Sequence, residues 1–245
     1  MTKNVEVGPL VGQGSTGAAV ASQAMIDRGL RQYFEGSSDE MYYGQVRFEA
    51  AAYQDDILKP SQNLDSAQVG MTKLAIMLEE RGLQAHEDKT GFILLGTKKF
   101  KEEAEKEMKL KPLRFGNFLA KRKKSDKYLG QILHEEGLTR SVEATIKERA
   151  GKIKGAIYLT AQIVESFQMQ AMGGLMAAKV LWEGAIVPSL LSGASTWIGI
   201  THKEEEMCED LQELFWRTIL QVPKGGPKVM LRAETGSLQM KKRIQ

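Results

Sequence analysis

A chain of 245 residues with 42% hydrophobic content is long enough to bury a core, as one large domain or two small ones, which excludes a wholly disordered chain. One cysteine, Cys208, with only His86, His134 and His202 beside it, permits no internal disulfide and builds no Cys/His zinc spacing, so a reducing, intracellular setting, nuclear or cytoplasmic, is expected. A net charge of +3 tolerates a nucleic-acid partner without demanding one, and with no charged n-region leading into an apolar signal core the chain is not expected to be secreted.

From Gly14 to about Phe34 apolar residues recur at helical spacing behind a glycine-rich loop, and Gly36 stops that helix. Met41 to Phe48 and Ala50 to Leu58 are rich in Tyr, Val, Phe and Ile and predict strands; the second run holds Gln54, Asp55 and Asp56 where a hairpin would turn. Asp65 to Leu83 carries Val69, Leu74, Ala75, Met77 and Leu78 in amphipathic order, with Gly82 in a C-cap position. A short strand over Thr90 to Leu95 follows, then a charged, solvent-facing helix over Lys98 to Lys109 with Glu and Lys three or four apart. Lys111 to Lys127, with Pro112 and the cluster KRKK at 121 to 124, reads as a linker, and Tyr128 to Leu133 as a short strand.

Beyond Leu138 the pattern is helical: Ser141 to Ser166, Phe167 to Trp182, a break at Pro188, and Lys203 to Val222. The uncharged run Gly184 to His202 has the length of a membrane span, but Pro188, three glycines and its Ser and Thr residues favour a buried helix and turn, so no membrane is expected. Trp182, Trp197 and Trp216 are expected in the core, as are Met25, Met71 and Met77. The fold class is α+β, with a mixed half over 1–133 and a helical half over 134–245.

Three motifs carry chemistry. Tyr53-Gln54-Asp55-Asp56 puts two adjacent carboxylates at a turn. Such a pair can cap backbone amides or face water, and it is also the charge that nucleotidyl transfer needs, where two Mg²⁺ ions about 3.5–4 Å apart activate the primer hydroxyl and hold the leaving pyrophosphate. Gly12-x-Gly14-x-x-Gly17, between a possible strand over Val5 to Val11 and a helix, spells the dinucleotide-binding fingerprint, with Asp39 or Glu49 at plausible distance for a ribose; the helical pattern after Tyr128 lacks the further β-α repeats that fold needs. The cluster Lys121, Arg122, Lys123, Lys124 and Lys127 suits a phosphate backbone, a nuclear address or a solvated linker.

In their order, these residues resemble the reverse transcriptases of non-LTR retrotransposons over nearly the whole chain. Gly12-Gln13-Gly14-Ser15 and its helix are similar to the family's Pro-Gln-Gly-Ser element, and Tyr53 to Asp56 to its Tyr/Phe-Ala-Asp-Asp hairpin. Gly82-Leu83 through Asp88-Lys89-Thr90 is similar to the next element, and Tyr128-Leu129-Gly130 to the family's Tyr-Leu-Gly strand. WEGAIVPSLLSGASTW and LQELFWRTIL resemble the thumb and the region after it. The resemblance implies a partial polymerase palm, its catalytic hairpin packed on the helix from Gly14, followed by a helical thumb. It further implies RNA-templated DNA synthesis, with Asp55 and Asp56 as Mg²⁺ ligands and catalytic residues and Lys89 acting on the pyrophosphate. Gln13, Gly14, Ser15 and Tyr53 would then shape the substrate pocket, Tyr128, Leu129 and Gly130 would support the primer, and Lys121 to Lys124 would touch the nucleic-acid backbone. The implied partners are an RNA template, a DNA primer and deoxynucleotide triphosphates.

This sequence departs from the family pattern at Gly12, Gln54 and His86, where Pro, Ala and Asn are usual. The family's first metal-binding Asp precedes the Gln-Gly element, yet Met1 to Val11 holds Glu6 as its sole acid. The expectation is therefore a domain fragment without its fingers or first catalytic strand, inactive as an isolated chain. The alternatives are a non-catalytic remnant that at most binds nucleic acid and, more remotely, the dinucleotide-binding reading. MKKRIQ ends without a cap, as though the chain continued.

Overall fold

A computed structural model of the chain describes residues 16–35, 41–43, 46–53, 55–166 and 171–244. These residues combine helices with small sheets, an α+β content, and divide into two compact units, Met1–Lys123 and Lys124–Gln245. The hairpin over 125–134 thus belongs with the helices that follow it.

The first unit begins with α1 (Thr16–Phe34). The hairpin β1 (Met41–Tyr43) and β2 (Val46–Phe48) follows, then the hairpin β3 (Ala51–Tyr53) and β4 (Asp56–Leu58). α2 (Leu64–Glu80) starts from a reciprocal cap: the Asn63 side chain accepts the Ser66 backbone N–H at 2.8 Å, and the Ser66 hydroxyl accepts the Asn63 N–H at 3.3 Å. It ends where expected, on Gly82, whose φ of +67° lets Gly82 N–H reach Glu79 O and Leu83 N–H reach Leu78 O. Ile26, Leu30 and Phe34 of α1 meet Leu74 and Met77 of α2, and Ala52 and Ile57 of the second hairpin pack on them. Gly29 makes the helix contact possible, since a Cβ there would lie 2.6 Å from Met77 Sδ. Met25 and Val69, expected inside, lie on the outer faces of these helices at 37% and 54% exposure.

β5 (Gly91–Phe92) and the exposed α3 (Lys98–Leu110) come next. The presumed linker is folded. β6 (Arg114–Phe115) and β7 (Phe118–Leu119) form a hairpin whose Phe115 enters the core, and β8 (Lys121–Arg122) runs parallel to β5. Strands of two residues leave no period-two signature in a sequence, so nothing in the hydrophobic pattern marks them.

In the second unit β9 (Ser125–Tyr128) and β10 (Gln131–His134) form a hairpin, followed by α4 (Leu138–Ser166) and α5 (Ala171–Leu181). The single strand expected over Tyr128 to Leu133 is therefore two strand ends and a turn. α5 passes through a π-turn (Trp182–Ile186) into α6 (Val187–Leu191), so the break expected at Pro188 does not occur there. The widened turn, closed by Val187 N–H on Trp182 O, admits a residue without an N–H, and the chain leaves the helix at Ser192 and Gly193, φ +69°. α7 (His202–Leu220), α8 (Lys228–Thr235) and α9 (Lys241–Ile244) complete the unit.

Gly173–Thr196 is long and apolar enough to cross a membrane by length and composition, and its inner side, Trp182, Ile186, Val187 and Leu190, packs in the core. Trp182, Phe215 and Trp216 cluster there with ring centroids 4.7–6.3 Å apart, and Trp197 is buried as well. Among the described residues all sheets are two-stranded pairs.

Candidate functional site

Tyr53 pairs with Asp56 across the β3–β4 hairpin, which places Asp55 in the turn and Asp56 at the first strand position after it. α1 holds the hairpin from behind: Gln23 Nε2 donates to Ala52 O at 3.2 Å, while Ala52 and Ile57 sit against the α1–α2 core. The strand faces thus drive the apolar side chains inward and leave Tyr53, Asp55 and Asp56 exposed at the tip. Among the described residues, neither carboxylate is engaged by a hydrogen bond or an ion pair. Gly12, Gln13, Gly14, Ser15 and Gln54 lie outside the described residues, as do Glu6 and Asp39.

Lys89 is exposed in the turn after α2, where Lys89 N–H and Thr90 N–H both reach His86 O. This turn and the basic segment come together within the first unit. Lys121 Nζ binds Asp88 at 2.6 Å and Lys123 Nζ donates to Lys89 O at 2.8 Å, while Arg122 pairs with Glu105. The hydrogen bond from Lys121 holds the Asp88 carboxyl below its usual range and raises the Lys121 ammonium. The contact depends on Gly91, since a Cβ there would lie 2.5 Å from Lys121 O. Lys124 opens the second unit, exposed, its carbonyl accepting the Glu135 N–H at 2.8 Å.

Tyr128, Leu129 and Gly130 form the tip of the β9–β10 hairpin. Leu129 and Gly130 take φ of +48° and +76°, the left-handed pair of a two-residue hairpin turn, and Leu129 is 46% exposed. The turn is fixed by Arg149, a buried guanidinium that donates to Gly130 O (2.9 Å), Leu190 O (2.8 Å) and Ser192 O (2.7 Å) and lies over the Trp197 ring. Gln131 completes the lock, accepting the Trp197 indole N–H at 3.0 Å and donating to Ser192 O at 2.8 Å. Burial lowers the Arg149 guanidinium from its ordinary value. Arg149 and Gln131 are absent from the motifs visible in the sequence, because a cation satisfied by carbonyls alone has no charged partner at a tell-tale spacing.

A second polar assembly was likewise not visible. Glu143, with its side chain 5% exposed, binds Arg140 Nη1 (2.6 Å), Lys203 Nζ (2.7 Å) and Lys147 Nζ (2.8 Å). Hydrogen bonds from Lys147, Lys203 and Arg140 lower its carboxyl to about 2. Cys208 is buried and its thiol is pushed up to about 12 by desolvation, which leaves it unreactive.

Mg²⁺ seeks six oxygens, and the two-ion centre of nucleotidyl transfer needs carboxylates that bridge both ions. Among the described residues, no group of three or more His, Cys, Asp or Glu side chains converges. By their chemistry two adjacent carboxylates such as Asp55 and Asp56 suit one mostly hydrated ion, and a two-ion centre would need further oxygen ligands beside them. Comparisons with protein-family models, with curated proteins and with solved structures give no match.

Proposed function

We propose that the chain is the hairpin and thumb part of a reverse transcriptase of the non-LTR retrotransposon class, and that on its own it does not polymerise. The observation that carries this reading is the Tyr53–Asp56 tip: two carboxylates presented to solvent by a hairpin packed on the preceding helix. Support comes from the order in which Lys89, the Tyr128-Leu129-Gly130 tip and the helices around Trp182 and Trp216 follow it. The partners on this reading are an RNA template, a DNA primer and deoxynucleotide triphosphates. Tyr53 would border the nucleotide, the Leu129 tip the primer, and Lys121 to Lys124 the duplex backbone, competing there with the exposed ion pairs to Asp88 and Glu105.

Positioning and electrostatic stabilisation supply most of the rate in phosphoryl transfer, so a chain with only the hairpin pair lacks the main source of acceleration. Purified protein is therefore expected to show no primer extension on a poly(rA)–oligo(dT) template in Mg²⁺. Extension above background that disappears in Asp55→Asn would contradict the claim of inactivity and point to Glu6 as the third acid.

A further inference from the structure

The Glu143 assembly is more than an ion-pair network. One sunken carboxylate gathers three cations whose own side chains are 54–65% exposed. Arg140 spends two of its N–H donors, on Glu143 and on Glu136 (3.1 Å), and Lys147 and Lys203 have one contact each at Glu143. Guanidinium carries five donors and ammonium three, so each cation keeps donors to offer to solvent. A cleft of about 280 Å³ opens on this face, lined by His134, Glu136, Arg140, Glu143, Ala144 and Lys147. The cleft runs along the first turns of α4. Lys203 reaches Glu143 from α7 without lining the cleft, so within it Arg140 and Lys147 stand beside Glu143 and Glu136. Glu143 accepts from all three cations and so fixes their positions, leaving their remaining donors as what the cleft offers an anion.

We propose that this cleft is an oxyanion site that takes a phosphoryl group, with Arg140 and Lys147 as its direct donors and Glu143 as the positioning residue. The site stands independently of the reverse-transcriptase reading. Two cations held about one carboxylate lose little side-chain freedom when the anion arrives, and charge-assisted donors of this kind are the strong ones. The phosphoryl group can belong to a small phosphorylated molecule or to a nucleic-acid backbone.

The test is a titration of the full chain with inorganic phosphate at constant ionic strength, chloride being the exchanged ion, followed by amide NMR shifts. Saturable shifts are expected at 134–147 and at Lys203 with millimolar affinity. They should weaken about tenfold or more in Arg140→Gln/Lys147→Gln. Lys147→Gln alone, a change at an exposed end of the cluster, should weaken them in a protein whose remaining spectrum is unchanged. A short RNA–DNA hybrid then separates the sources: competition with phosphate assigns the site to a backbone, and binding of phosphate without competition assigns it to a small ligand. Either result supports the site. Non-saturable shifts, shifts spread over other basic surfaces, or saturable shifts that persist in both variants would overturn it.

Discussion

Leu129 occupies a backbone conformation that L-residues with bulky side chains avoid at a cost of about 1–2 kcal/mol, and it does so while keeping its side chain nearly half exposed. Leu129→Asn is therefore expected to raise the stability of the second unit by about 0.5–1 kcal/mol in urea unfolding, because Asn tolerates φ of +48° far better. An unchanged or lower midpoint would mean that the leucine side chain repays its strain through packing. Arg149→Met tests the lock beneath the same turn. Removing the guanidinium leaves the Gly130, Leu190 and Ser192 carbonyls without their donor, an expected loss of about 2–4 kcal/mol by the same measurement. A loss below about 1 kcal/mol would show that water replaces it. Neither role was legible beforehand, although Leu129 stands in a motif the sequence shows. Hairpin turns announce themselves through Asn-Gly or Asp-Gly, and Leu-Gly at 129–130 reads as the inside of a strand. The turn at Asp55 and Asp56 was legible, since paired acids between two β-rich runs mark a hairpin tip.

α4 carries two of the most strongly perturbed acids, and both answer to partners on other elements as well as on their own. Glu143 is held at about 2 by Lys147, Lys203 and Arg140, and Glu148 at about 2 by Lys152 and Lys127. Both folded values lie below the ordinary 4.5, so their contribution to stability is complete above about pH 4.5 and is lost as the pH falls from there through about 2. The urea midpoint should decline over that window, and the decline should be shallower in Glu143→Gln. Parallel curves for the two proteins would show that Glu143 is no better stabilised folded than unfolded. At this scale the sequence predicted most elements, because α1, α2, α4 and α7 have clear helical periodicity and Gly82 marks an end. Pro188 misled because its effect depends on the turn before it: a π-turn there removes the need for the missing N–H, and no single-residue propensity encodes that.

The two compact units assign the chain's motifs unequally. The hairpin carboxylates and Lys89 belong to the first, and the Leu129 tip, the tryptophan cluster and the phosphoryl cleft to the second. Motif order could be read from the sequence, but the partnerships that hold each motif could not, since Lys121 with Asp88 and Lys203 with Glu143 join residues 33 and 60 apart. The central claim concerns the Tyr53–Asp56 tip as half of a polymerase centre. Its most direct measurement is primer extension by the whole chain joined behind the fingers and first catalytic strand of an active reverse transcriptase of the same class. The account predicts extension on poly(rA)–oligo(dT) in Mg²⁺ that Asp55→Asn and Asp56→Asn each abolish. A chimera that folds and binds the hybrid but fails to extend it, or that extends it equally well in Asp55→Asn, would contradict the account.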